Sequence, residues 1–251
     1  SRVFRRVSGF LAIGRQNADF YREYGVPDER VFLAPYAVDN DAFFASAAEQ
    51  LPRREELRRG LGIPAGAPVI LFSGKLIDVK RPMDLLRAYL RVRAEVPAAL
   101  VFMGDGPLRP ELEAFCREHA LEDVHFAGFR NQSELGRFFA VADVFCLPSI
   151  YEPWGLVVNE AMCFGLPVVA SDMVGSTGDL VLEGENGFTF RAGDVDALAG
   201  RLRAVLGDAE LRRRMGARSR ELIAGWGYAE DVAAVRACLR HVAAGTASRA
   251  A

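Results

Sequence analysis

From Pro68 onward the sequence alternates short apolar runs with longer amphipathic ones, and that alternation admits few folds. The apolar runs at 69–73, 99–103, 124–127, 144–147, 167–170 and 187–190 have strand length and are rich in Val, Leu, Ile and Phe. The segments 82–93, 108–119, 133–140, 155–164, 178–183, 195–206, 209–223 and 229–242 are expected to be helices. Strands this apolar are buried on both faces, and strands that alternate with helices pair in parallel. The expected class is therefore α/β, a Rossmann-like doubly wound parallel sheet. In such sheets ligands sit beyond the carboxyl ends of the strands. Attention falls on the loops after Ser73, Met103, Ala127, Leu147 and Ala170.

The first 50 residues read differently. Segments 10–13 and 31–34 look like strands, with a helix near 16–24 between them. Two strands and one helix cannot bury a core of their own. The stretch is expected to be a small N-terminal remnant or extension. A polar run at 51–59 and the turn-rich 60–68 set it apart from the main sheet.

Composition narrows the partners. The chain of 251 residues has a formal net charge of -2, so it has no global positive field for nucleic acid. The longest apolar stretch, 155–170, is interrupted by Asn159, Glu160 and Pro167 and is too short to span a membrane. Ser1 to Arg6 lack the apolar core of a signal peptide. Cys116, Cys146, Cys163 and Cys238 lie in apolar contexts without metal-ligand spacing, as expected of buried reduced thiols in a cytoplasmic protein. His119, His125 and His241 are scattered, and neither a metal site nor a cofactor is expected.

Of 31 Lys and Arg residues only Lys75 and Lys80 are lysine. A codon bias toward arginine is the plain explanation. A crowded phosphate site is the other, because lysine is a compact point charge and arginine a planar fork. Both lysines lie in the loop after the first strand of the main sheet.

The segment Glu152-Pro153-Trp154-Gly155-Leu156-Val157-Val158-Asn159-Glu160 leads from a buried strand into a helix. The first turn of that helix has amides without helical partners, and the helix dipole favours an anion there. Gly155 leaves the approach open. Glu152 alone could be a surface carboxylate that complements the dipole. Glu160 sits among apolar neighbours and needs a partner, either an arginine or the hydroxyls of a ligand such as a ribose diol.

These segments resemble the retaining glycosyltransferases of family four, also called group 1, which have the two-domain GT-B architecture. The resemblance covers roughly residues 69 to 230. It is carried by the Glu152 to Glu160 motif and by the segments 74–82, 104–108, 126–129, 142–149, 165–172 and 185–188. It implies that the sheet is one half of a GT-B fold. Residues 1–50 would be a remnant of the preceding acceptor domain and linker, 51–227 the nucleotide-sugar-binding domain, and 228–251 a helix and tail packing back on the other domain.

The resemblance also implies roles. Lys75 and Lys80 would bind the diphosphate of a UDP- or GDP-linked sugar, helped by Gly74 and the amides near Gly155, Leu156 and Val157. Glu152, beside Trp154, would meet the donor sugar, and Glu160 the ribose. Phe129 and Arg130 would lie beside the nucleobase. Glu152, Lys80 and Lys75 would be the catalytic set, with no metal. Asp179 stands where the family often has glutamate. The implied function is the donor half of a retaining hexosyltransferase for polysaccharide or glycolipid, weakly active or inactive without an acceptor domain. The alternative is a nucleotide-sugar-binding module or partner subunit without turnover. An epimerase would need further acid and base groups, and a phosphorylase a further lysine. The clusters at 2–6 and 212–214 allow peripheral contact with anionic lipid at the inner face of the membrane, a solvated face being the plainer reading.

Overall fold

The computed structural model describes residues 3–250, with side chains through residue 245. Two sheets organise the chain. A short parallel pair joins β1 (Phe10–Ala12) to β2 (Val31–Leu33), with α1 (Arg15–Glu23) between them in sequence. The second sheet has six parallel strands: β3 (Val69–Ser73), β4 (Ala99–Met103), β5 (Val124–Gly128), β6 (Val144–Leu147), β7 (Val168–Ser171) and β8 (Gly187–Phe190). Their spatial order is β5-β4-β3-β6-β7-β8. The first strand of this unit is central, and the chain winds outward from it in both directions. That is the doubly wound order, with a crevice where the direction reverses, between β3 and β6.

The period-two pattern divides the strands between two cores. Val69, Leu71, Val101, Phe145, Leu147 and Ala170 face one side, and Ile70, Phe72, Leu100, Phe102, Cys146 and Val169 the other. The first side is covered by α2 (Asn40–Gln50), α3 (Arg54–Gly60), α6 (Gln132–Val141) and α7 (Leu156–Cys163). The second is covered by α4 (Pro82–Arg93), α5 (Arg109–Glu118) and α8 (Val195–Gly207). Along the sheet margin, α9 (Ala209–Ala224) contributes Met215 to one core and Ile223 to the other. Finally, α10 (Tyr228–Ala250) leaves this unit and packs on β1 and β2.

Two expectations need correction. Residues 40–50 do not go with the N-terminal piece. Asp39 caps α2 by accepting from Ala42 N, and Phe43 and Ala47 enter the first core, where α2 packs on α6 and α7. The polar run that follows contains a helix beyond those expected from the sequence, α3. Its anchor is an arginine, which is why the run reads as solvent-exposed. Arg58 is buried, with Nε and Nη2 donating to Val141 O and Nη2 also to Asp143 Oδ2. The second correction is the helix expected at 178–183. Thr177 and Glu183 form isolated bridges to Val181 and Gly187, and the segment turns instead of coiling. Asn186 directs the turn: its Nδ2 donates to Leu180 O and its Oδ1 accepts from Leu182 N. A side chain thus takes the bonds that helical backbone would have made.

Asp143 ties the amino ends of the central strands. It accepts from Arg54 Nη2 at 2.6 Å, Arg58 Nη2 at 2.6 Å and Val69 N at 2.7 Å. Its removal leaves the buried Arg58 guanidinium with only the exposed Glu55 carboxylate, 3.9 Å away, as a counter-ion. We expect Asp143→Ala to lower unfolding stability by about 3–5 kcal/mol in urea titrations, the usual cost of breaking a buried pair from one side. A loss of less than about 1 kcal/mol, no more than an exposed pair contributes, would show that the cluster is peripheral to stability.

Candidate functional site

The loops at the carboxyl ends of β3, β4 and β5 are laced together by backbone. Gly74 N donates to Met103 O, Leu76 N to Asp105 O, and Gly104 N to Gly128 O. A Cβ at Gly104 would lie 1.9 Å from Gly74 O, so only glycine permits this approach. Between these loops lies a cleft of about 390 Å³ lined by Ser73, Gly74, Lys75, Met103, Gly104, Asp105, Phe129, Arg130 and Leu135. Phe129 is 76% exposed at its rim. Arg130 is held from behind, with Nη1 donating to Glu134 Oε1 and its guanidinium 5.3 Å from the Phe138 ring centroid. The sequence had singled out Gly74, Lys75, Phe129 and Arg130, and the fold brings them into this one cleft. It had marked the loop of Gly104 and Asp105 without naming them as site residues, and it had not named Ser73, Met103 or Leu135. The signal for Gly104 and Asp105 was present in the Gly-x-Gly turn after β4. Met103 and Leu135 read only as core.

The remaining candidates gather across the β3–β6 reversal. Ile150 N donates to Val79 O, which ties the loop after β6 to the loop after β3. Lys80 Nζ and Glu152 Oε2 form an ion pair between the same loops. Lys75 is exposed and has no ion pair among the described residues. The turn into α7 passes through Gly155 at φ +89°, the left-handed region that favours glycine. The amides of Gly155, Leu156 and Val157 have no acceptor among the described residues. An anion placed there would meet free N–H groups and the positive end of the helix dipole.

Glu160 lies one turn further along α7, on the face of Leu156. Helical side chains lean toward the N-terminus, which is the direction of those amides. No arginine meets it: among the described residues its side chain has no ion pair or hydrogen bond. Burial without a counter-ion pushes its pKa up from 4.5 to about 7.

Trp154 occupies a different position from the one expected. Its side chain is 3% exposed and stacks on Trp226 at 5.6 Å, with Nε1 donating to Asn159 Oδ1. Expected beside the donor sugar, it instead presents no surface to a ligand. Its large apolar ring is consumed by packing between the loop and the start of α10, and its one donor is already used. Asn159 in turn donates to Tyr36 O, linking α7 to the N-terminal segment. Asp179 makes a similar link. It accepts from Arg15 N, the first amide of α1, at 2.8 Å and pairs with Arg15 Nε at 3.2 Å.

The basic clusters are not a common face. Arg2 lies outside the described residues. Arg212 donates to Val205 O and Arg213 is paired with Glu210, so the run 212–214 is partly used internally. Among the described residues no helix is long and apolar enough to cross a membrane.

Residues 53–222 match the family described as glycosyl transferases group 1. D-inositol 3-phosphate glycosyltransferase of Xylanimonas cellulosilytica is 35% identical over 241 residues, which are 93% of this chain and 57% of that protein. The chain spans about half the length of the curated relatives it matches. Among solved structures, the apo form of the lipopolysaccharide outer core galactosyltransferase WaaB superposes with a TM-score of 0.76 at 20% identity, over 93% of this chain and 62% of that one. HepE of Anabaena, in complex with UDP and glucose, gives 0.74 at 22% identity, over 92% and 63%.

The state of Glu160 has a measurable consequence. Its carboxyl is neutral in the folded and unfolded chain below pH about 4.5. Between pH 4.5 and about 7 the unfolded chain ionises and the folded one does not, so stability falls as pH rises. The full loss is about 3 kcal/mol. Glu160→Gln keeps the shape and cannot ionise. We expect it to match the parent in urea unfolding at pH 4 and to exceed it by up to about 3 kcal/mol at pH 8. An equal difference at both pH values would mean that Glu160 does not titrate with a raised pKa.

Proposed function

The chain belongs to the group 1 glycosyl transferases, and from that premise we propose that its β3–β6 crevice binds the nucleoside-diphosphate sugar from which a retaining transferase takes its glycosyl group. The observation that carries this reading is Glu160, a half-buried carboxyl without a protein partner among the described residues, one turn in from the free amides at the start of α7. A ribose diol supplies the hydroxyl donors that the carboxyl lacks, and the adjoining diphosphate reaches the amides. Lys75 and Lys80 bind the same diphosphate. As the sugar bond breaks, negative charge develops on the leaving phosphate, and preorganised cations and N–H groups stabilise it. Each charge-assisted hydrogen bond contributes about 1.5–3 kcal/mol. Glu152 accepts from hydroxyls of the donor sugar. The nucleobase enters the cleft with Phe129 at its rim and Arg130 at its wall. That HepE has been solved with UDP and with UDP-glucose supports a uridine donor. In this reading Trp154 supports the loop from within and does not touch the donor.

Transfer is an activity of the whole protein. Closing a second domain over the donor excludes water and supplies the acceptor. We therefore propose that residues 1–38 and α10 form the edge of an acceptor-binding domain, and that the described chain alone hydrolyses donor slowly at most. Supplying the acceptor domain should restore transfer. Donor binding without any transfer would leave a binding module.

Calorimetry tests the donor site. Lys80→Ala is expected to weaken UDP by about ten-fold, the loss of one charge-assisted bond, and to leave uridine nearly unchanged. Nucleoside affinity should rise from pH 6 to pH 8, because the diol donates to the ionised Glu160. Absence of binding by UDP, GDP and ADP at millimolar concentration to the folded chain would remove the reading. Equal weakening of UDP and uridine would make Lys80 a structural residue.

A further inference from the structure

The Lys80–Glu152 pair brings together a residue read as binding phosphate and one read as binding sugar. Their side chains are 21% and 14% exposed, so solvent screens the pair only in part. The backbone around them is held. Ile150 N bonds to Val79 O, Glu152 N to Met173 O, and Gly175 N to Glu152 O. The two ionic groups therefore meet across anchored loops. With Lys80 neutralised by Glu152, Lys75 is the cation of this crevice left without a counter-ion among the described residues.

A diphosphate on Lys80 competes with the Glu152 carboxylate for the same ammonium. That carboxylate is then left beside a second anion, with its lone pairs unfilled. A sugar on the terminal phosphate resolves the conflict, because its hydroxyls donate to the carboxylate. A bare nucleoside diphosphate offers Glu152 no donor and brings more negative charge.

We infer that Glu152 is a specificity-determining residue that favours the sugar-bearing donor over the bare nucleoside diphosphate, by competing with phosphate for Lys80 and releasing it only when sugar hydroxyls take the lysine's place. The inference rests on the donor reading of the crevice. It adds a consequence for the product: once the sugar has left, Glu152 takes Lys80 back and the nucleoside diphosphate is held less firmly. A group that merely positioned the sugar would not oppose the product.

Pyrophosphate tests the competition without base or sugar. It would be titrated calorimetrically into the parent, Glu152→Gln, Lys80→Ala and the double variant, with urea midpoints confirming that each is folded. Glu152→Gln is expected to bind pyrophosphate about five-fold more tightly than the parent, a gain within the range of a partly exposed ion pair. In the Lys80→Ala background the same change should gain less than about two-fold, because no lysine is left to free. Unchanged or weaker binding by Glu152→Gln overturns the proposal. So does an equal gain in both backgrounds, which would mean plain repulsion. In a second arm, the preference for UDP-glucose over UDP should fall by about five-fold in Glu152→Gln. An unaltered preference also overturns it. If the pyrophosphate results hold while the parent binds no nucleotide, the donor reading fails and the competition for Lys80 stands.

Discussion

A parallel sheet buried on both faces leaves its strand ends as the places where backbone polar groups and charged side chains can meet a ligand. Here helices cover each face, and the central strands β3 and β6 run side by side with their connections leaving in opposite directions. The loops that follow them diverge from this reversal, and a crevice results, bridged by the Ile150–Val79 and Lys80–Glu152 contacts. Every candidate ligand group lies on these loops, on the loop after β5 or on the first turns of α7, and among them Trp154 is turned inward. The amino ends of the same strands serve stability, with Asp143 gathering Arg54, Arg58 and the Val69 amide.

Within the crevice the electrostatics are arranged for an incoming anion with hydroxyls attached. Among the described residues, free amides at the start of α7 and a Lys75 without an ion pair favour negative charge. The two carboxylates temper this in different ways. Glu152 is occupied by Lys80, whereas Glu160 has no partner among the described residues and is held neutral toward pH 7 by burial. The free crevice is thus short of a hydrogen-bond donor at Glu160 and short of an anion at a helix terminus.

The same turn of chain is wired to the N-terminal piece. Trp154 and Trp226, the only tryptophans, stack where the chain departs toward α10. Asn159 donates to Tyr36 O from the buried side of α7, and Asp179 binds the first amide of α1. The side of the motif turned away from the crevice therefore fastens β1, β2 and α10 to the larger unit. This gives Trp154 and Asn159 a physical reason for their place in the motif.

Much of this was legible in the order of residues. The alternation of apolar and amphipathic runs required a parallel α/β sheet, because strands apolar on both faces must be covered twice. The Glu152 to Glu160 segment required a helix terminus open to an anion, because glycine precedes its first turn. Both are local properties, written in periodicity and in backbone chemistry. Other features depend on partners distant in sequence. α3 was hidden because its anchor is an arginine, whose burial depends on the carbonyl of Val141 and the carboxylate of Asp143. The turn at 178–183 depended on Asn186 bonding backward. Trp154 looked like a ligand contact until Trp226 filled its ring face. Above all, the strand order set Lys80 against Glu152. By itself the sequence determined that the chain has the groups for a phosphate-binding edge. Only the tertiary structure decided that a lysine and a glutamate from separate loops hold each other, because charges pair by distance in space and not along the chain.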